Sequence, residues 1–188
     1  MRIGEIKIGI IGTGQFAQQY YFPTCKTHPN LAIHAVANRS SEKALNVANE
    51  YQIDPSQVFT GDDGWQRLLA NSDVDAVIIS TPNFLHAPIT IAAAQRGIHV
   101  LVEKPMATSQ GDACAMVQAA QDNDVILMVA FPQRFMPAFE KAKASIDEGV
   151  IGKVQTIQST FGHAGPELWS PSGKWYFEAS QSSGGVLL

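Results

Sequence analysis

The sequence predicts a doubly wound α/β domain built on a parallel sheet, and three observations predict it. Short apolar runs alternate with helical patterns from residue 1 to about 130. The runs are apolar throughout, as strands covered on both faces are. The first of them, Ile6–Ile11, closes in the turn Gly12-Thr13-Gly14-Gln15-Phe16-Ala17 and gives way to a stretch without strand character.

That turn has the G-x-G-x-x-A form of a dinucleotide-binding loop, so the expected domain is Rossmann-type. The mechanism needs a residue tolerating a tight turn at Gly12 and no side chain at Gly14, where backbone amides approach a pyrophosphate. It also needs a small residue at Ala17, where helix meets strand. A helix over about Gly14–Tyr21 then aims free N–H groups and its positive dipole end at the phosphates. Taken alone the string is weak, because such turns also join strand to helix where nothing binds. The missing Gly-Lys-Ser/Thr argues against a P-loop, whereas a methyltransferase stays open on the glycines alone.

Further strands are expected at Leu31–Ala37, Ala76–Ser80, His99–Val102 and Val125–Ala130. Helices are expected at about Ser41–Tyr51, Asp63–Leu69, Ala87–Arg96 and Ser109–Asp122. Ser109 with Asp112, and Asp63 with Gln66, have capping-box spacing, and Gly97 stands where a C-terminal glycine stops a helix. Past Phe131 the pattern changes. Pro132 and Pro137 precede a helix running to about Glu148 and stopped by Gly149, and Val154–Phe161 alternates like a strand with one wet face. From Gly162 on the chain reads as loop, with Gln181-Ser182-Ser183-Gly184-Gly185 resembling a linker. The apolar Val186-Leu187-Leu188 belongs to an element that continues, so the chain is expected to be cut short. The expected organisation is a dinucleotide-binding domain over 1–130 and the truncated start of an α+β domain over 131–188.

The 188 residues are 45% hydrophobic and 16% charged, enough for a real core, with a formal charge of -4 and no Lys/Arg cluster. That balance argues against nucleic acid as a partner. The longest apolar run, Val125 to Phe131, is far too short to span a bilayer, and Glu5 and Lys7 interrupt any signal-peptide core, so a soluble cytoplasmic protein is expected. Cys25 and Cys114 are isolated from each other and from any Cys/His cluster. They are expected to be buried small residues, with neither a disulfide nor a metal.

In open α/β sheets ligands bind at the carboxyl ends of the strands. After the second strand come Asn38-Arg39-Ser40, where an acid would hold the ribose of NAD. No acid is present, and Arg39 with Ser40 and Ser41 suits the 2′-phosphate of NADP. An exposed Arg beside an ordinary Ser cap is the other reading. After the fourth strand, Thr81-Pro82-Asn83-Phe84-Leu85-His86 either lines a cofactor cleft or is a proline turn whose Asn83 and His86 are satisfied by local backbone. After the fifth, Glu103-Lys104-Pro105 is the candidate catalytic position. A Lys losing solvation in a closing crevice shifts toward the range useful for proton transfer from a substrate hydroxyl, and an ionised Glu103 nearby opposes that shift. A surface Glu and Lys beside a turn proline stands against it. Gln133-Arg134 is placed similarly, or is a plain cation at the domain boundary.

Assembled in order, these segments resemble the glucose-fructose oxidoreductase/inositol dehydrogenase/rhizopine catabolism family, Gfo/Idh/MocA. The likeness runs through Gly12 to Ala17, Ala37-Asn38-Arg39-Ser40, Val74-Asp75-Ala76-Val77, Thr81-Pro82-Asn83 with His86, and Gly97-Ile98-His99-Val100. It continues through Glu103-Lys104-Pro105, Arg134-Phe135 with Pro137, and Glu148-Gly149 with Ile151-Gly152. The resemblance implies an NAD(P)-dependent oxidoreductase, NADP preferred on Arg39, acting on a sugar, polyol or related alcohol or aldehyde. Lys104 would contact the nicotinamide end and the substrate hydroxyl, Glu103 would support the cofactor, and Pro105 would be cis. Thr81, Pro82, Asn83 and His86 would border the cleft and Arg134 the domain junction. A homo-oligomer is implied too. Family members follow a segment like Ser183-Gly184-Gly185 with an Asp-x-Gly-x-His-type stretch that supplies the acid/base His, which this chain does not reach, and His163 does not match it. A non-catalytic NAD(P)-binding sensor is the alternative, opposed by the Lys at the hydride-transfer position.

Overall fold

The computed structural model describes residues 4–71, 73–160, 162 and 177–182. Its strands are β1 (Ile6–Ile11), β2 (Leu31–Asn38), β3 (Val58–Thr60), β4 (Ala76–Ile79), β5 (His99–Glu103) and β6 (Leu127–Ala130). They form one sheet in the order β3-β2-β1-β4-β5-β6, with β1 parallel to both β2 and β4, β2 parallel to β3, and β4 parallel to β5. The chain leaves β1 toward one edge and returns to build the other. Strand order therefore reverses between β1 and β4, and a crevice opens at their carboxyl ends.

Both faces of the sheet are covered, which is what continuous apolar runs require. Ile8 and Ile10 join Ala17, Phe22, Cys25, Val36, Val47 and Ile78 on one side. Ile11 joins Leu68, Val77, Ile79, Ile89, Val100, Val102 and Met116 on the other. Each buried Val, Leu, Ile, Phe or Met among them is worth roughly 1.5–3 kcal/mol of burial. The covering helices are α1 (Phe22–Thr27), α2 (Ser41–Tyr51), α3 (Gly64–Asn71), α4 (His86–Ala94) and α5 (Gln110–Asp122). Ser109 caps α5 as its spacing predicts, its Oγ accepting from Asp112 N at 3.1 Å and donating to Asp112 Oδ2 at 2.7 Å. Gly97 sits at φ +73° just after α4. The Asp63 carboxylate takes Arg67 Nε at 3.0 Å.

Several expectations need correction. β3 escapes the sequence reading, because three residues between Pro55 and Gly61 show no period. The first helical run does not stop at Tyr21. It widens into a π-helix at Ala17–Tyr21 and continues as α1 to Thr27, with Pro23 in the first turn of α1, where a missing N–H costs little. β6 begins at Leu127 and exposes Met128, since β6 lies at the sheet edge. Cys25 is buried but Cys114 is exposed. Helix α5 buries only Met116 and Ala120, and residue 114 falls on its opposite side.

The chain divides into two compact units, Met1–Val129 with Lys174–Leu188, and Ala130–Gly173. The second holds a 3-10 turn, Pro132–Phe135, and α6 (Pro137–Asp147), ended near Gly149 at φ +71°. Its Phe135, Phe139, Ile146 and Ile151 are exposed. The strand expected over Val154–Phe161 is absent from 154–160, where Ile157 is 82% exposed. Alternation alone makes no strand without a ladder partner. Phe161, His163 and the segment 183–188 lie outside the described residues. Where loop was expected, Ala179–Ser182 forms a short helix, α7, in the first unit.

Candidate functional site

The two glycines of the turn after β1 are glycines for different reasons. Gly12 has φ +98°, and an added Cβ would stand 2.3 Å from the Ser80 carbonyl oxygen. Its N–H donates to Ala37 O at 2.8 Å. The fold itself thus demands Gly12, because the turn passes against the end of β4. Gly14 is not in the left-handed region, and an added Cβ would meet nothing within 4 Å. The protein supplies no steric reason for its missing side chain. The space beside Gly14, at the carboxyl end of β1, is open, as the close approach of a pyrophosphate to the backbone requires.

Thr13 is 0% exposed. Its Oγ1 accepts from Asn38 Nδ2 at 2.7 Å, and its carbonyl accepts from Gln18 Nε2 at 2.7 Å. Asn38 Oδ1 in turn accepts from Ser40 N at 2.8 Å. Thr13 and Asn38 therefore lash the turn to the end of β2. Ser40 Oγ accepts from Lys43 N at 3.4 Å, the N-cap of α2 that the plainer reading gave it. Arg39 is exposed and forms no ion pair among the described residues. Gln15 and Phe16 open the helical run on the surface, with the Phe16 ring 4.7 Å from Tyr20 and 5.8 Å from Tyr21.

His86 ties the other two strand-end turns together. It is 0% exposed, with Nδ1 2.8 Å from Pro105 O and Nε2 3.0 Å from Thr81 O. Half of the bland reading holds, since Thr81 belongs to its own turn, while Pro105 is a distant partner. Burial pushes the imidazole below its ordinary range, against the two carbonyls and Glu103, which favour the charged form. A neutral imidazole carries one N–H, so it donates to one of these two carbonyls at a time. The Lys104–Pro105 bond is cis, as the resemblance implied. Asn83 is buried, and Thr81 Oγ1 is buried without a hydrogen-bond partner at the end of β4.

Glu103 closes the arrangement. Its Oε1 accepts from the Tyr21 hydroxyl at 2.5 Å and its Oε2 from Lys104 N at 3.1 Å. Burial, reinforced by this carboxylate, pushes the Tyr21 hydroxyl far above its usual range, so it stays a donor. Lys104 is exposed, and its Nζ has no partner among the described residues. Tyr21 is the residue that sequence reasoning missed, since nothing local marks a contact spanning 82 positions. The structure thus gathers Gly12, Gly14, Asn38, Thr81, Pro82, His86, Glu103 and Lys104 at the carboxyl ends of β1, β2, β4 and β5. Arg134 belongs to the other unit, with its guanidinium 5.8 Å from the Phe131 ring. Among the described residues no group of three or more His, Cys, Asp or Glu is placed to hold a metal ion, and no helix is long and apolar enough to cross a membrane.

Comparison with known proteins agrees with this geometry. Residues 6–131 match the model of an oxidoreductase family with an NAD-binding Rossmann fold, and residues 139–188 match a Gfo/Idh/MocA C-terminal domain. Levoglucosan dehydrogenase of Pseudarthrobacter phenanthrenivorans is 33% identical over 198 residues, covering 97% of this chain and 47% of that protein. An NADP-dependent D-xylose 1-dehydrogenase of Haloferax volcanii is 36% identical, covering 85% of this chain and 47% of that one. Among solved structures, an aldose-aldose oxidoreductase of Caulobacter crescentus complexed with glycerol superposes with TM-score 0.82 at 28% identity, covering 97% of this chain and 53% of that one. A 3-ketoreductase of Actinomadura kijaniata, in complex with TDP-benzene and NADP, gives TM-score 0.70 at 29% identity, covering 81% of this chain and 46% of that one. The chain spans about half the length of the curated relatives it matches. With its parallel sheet, its glycine turn and its Glu-Lys-Pro strand end, it belongs to the Gfo/Idh/MocA family of oxidoreductases with an NAD-binding Rossmann fold.

Proposed function

We propose that residues 1–130 bind NADP in preference to NAD, and that the protein transfers a hydride to or from a sugar, polyol or related alcohol or aldehyde. The open backbone at Gly14, in the turn after β1, carries this reading, because the fold gives no steric reason for that glycine. Gln15 and Phe16 contribute the first turn of the helical run beside the pyrophosphate. Thr81, with its unpaired hydroxyl, Pro82 and Asn83 line the cleft, and His86 braces it. Arg39, exposed and unpaired, neutralises the 2′-phosphate with help from Ser40. Bound NADP supplies the hydride chemistry. Lys104 holds the substrate oxygen and exchanges its proton, and Glu103 fixes the backbone of that turn. Residues 131–188 begin the substrate domain, with Arg134 near the junction, and copies associate in a homo-oligomer in the cytoplasm.

Calorimetric titration of the chain with NADPH and with NADH tests this. Binding with a preference for NADPH is the expected result, and binding of neither refutes the reading. Arg39→Asp should weaken NADPH by roughly tenfold to a hundredfold, the size of one or two lost charge-assisted hydrogen bonds. NADH binding should barely change, and equal losses for both would remove Arg39 from the role. Lys104→Ala should keep cofactor affinity within roughly tenfold, about 1.4 kcal/mol. In a protein extended past Leu188 to the length of its relatives it should abolish turnover, so retained turnover would exclude Lys104 from the chemistry.

A further inference from the structure

Tyr21 reaches Glu103 across 82 positions of sequence, and the local backbone explains how. In a regular α-helix through Ala17, residue 21 would lie over Ala17 one turn on. The wide turn instead bonds Phe22 N–H to Ala17 O, and Ala17 and Phe22 are both fully buried. One extra residue in the turn therefore sends Phe22 into the core and leaves Tyr21 at the rim, where its hydroxyl meets the end of β5. Both carboxylate oxygens of Glu103 are then occupied, Oε1 by Tyr21 and Oε2 by Lys104 N. The Lys104 ammonium, on the very next residue, is left without a partner among the described residues.

We propose that Tyr21 is a positioning residue that holds the Glu103 carboxylate away from the Lys104 ammonium, leaving Lys104 free to exchange a proton with a bound ligand. The proposal deepens the reading above and rests on Lys104 as the proton-handling group. A carboxylate released beside an ammonium favours the protonated amine, and among the described residues Tyr21 is what anchors Oε1. Among the described residues, the other titratable groups facing this cluster are His86, held between Pro105 and Thr81, and Cys25 of α1, which faces Tyr21. Neither offers Lys104 a compensating charge while His86 is neutral.

The test needs neither substrate nor cofactor. Trace acetylation with acetic anhydride, read at Lys104 by peptide mass spectrometry across pH, gives the midpoint at which the free amine appears. Tyr21→Phe should raise that midpoint by about half a pH unit, the size an exposed ion pair supports. Adding Glu103→Gln to Tyr21→Phe should return it to the wild-type value. An unmoved midpoint in Tyr21→Phe overturns the proposal, and so does a rise that survives in the double variant. Glu103→Gln alone should move the midpoint by less than about 0.2 units, because the carboxylate is already held off. A fall of half a unit or more there overturns the proposal, whether or not Tyr21→Phe folds. NADPH titration of the same samples keeps the two readings separate: a wild-type chain that binds no NADPH removes the cofactor reading, while the labelling series still judges Tyr21.

Discussion

Gly14→Val binds NADPH on the order of a hundredfold more weakly than the unaltered chain, about 2.7 kcal/mol, yet melts within roughly 3 °C of it. The dissociation follows from where the side chain goes. Nothing in the protein lies within 4 Å of a Cβ at this position and φ is not left-handed, so the fold pays almost nothing. The isopropyl group enters the volume that a pyrophosphate would need. Gly12→Val shows the opposite profile. Its Cβ would meet Ser80 O at 2.3 Å and Ser80 C at 2.6 Å at φ +98°, and clash plus left-handed strain cost roughly 2–5 kcal/mol. Calorimetric titration and thermal unfolding of both variants check the pair. A Gly14→Val chain that binds normally would mean that the glycine is incidental.

His86→Leu should destabilise the first unit by about 1–3 kcal/mol, the cost of removing the buried imidazole that sits between the Thr81 and Pro105 carbonyls and donates to one of them. Denaturant unfolding measures it, and a loss under about 1 kcal/mol would show that water serves those carbonyls equally well. The same residue sets a pH dependence. Its folded pKa lies below its unfolded value because burial outweighs the carbonyls, so in the window beneath about 6.5 the unfolded chain binds more protons. The stability His86 provides is full above that pH and declines as pH falls through the window. The melting temperature should therefore drop between pH 7 and pH 5, and drop less in His86→Leu. Asp54 and Asp73, whose carboxyls are held below their usual range by Ser56 and Lys7 hydrogen bonds, titrate only at lower pH.

What was legible in the sequence was whatever a local pattern encodes. Ile6–Ile11 and Ser41–Tyr51 have the bounds that periodicity predicts, and Ser109 caps its helix because the donor and acceptor are three residues apart. The positions of Gly12, Gly14, Thr81 and Lys104 at strand ends follow from the same alternation. Long-range geometry was not legible. The helix expected to end at Tyr21 runs on through a wide turn that no local pattern marks, and that turn brings Tyr21 to Glu103. Likewise His86 reads as a residue of its own turn, and only the approach of β4 and β5 brings Pro105 to its Nδ1. The alternation of Val154–Phe161 is a true pattern, but pairing depends on a neighbour, and none of the described residues pairs with 154–160.

The division of labour at the end of β2 has a consequence for coenzyme engineering. Asn38 spends both ends of its amide inside the protein, one on Thr13 and one on Ser40 N, while its neighbour Arg39 stands exposed and uncommitted. On the proposed reading of Arg39, rigidity and selectivity reside on adjacent positions and can be altered separately. A designer could then rewrite coenzyme choice at Arg39 and leave the scaffold untouched, whereas any exchange at Asn38 would loosen the glycine turn, which its amide ties to β2.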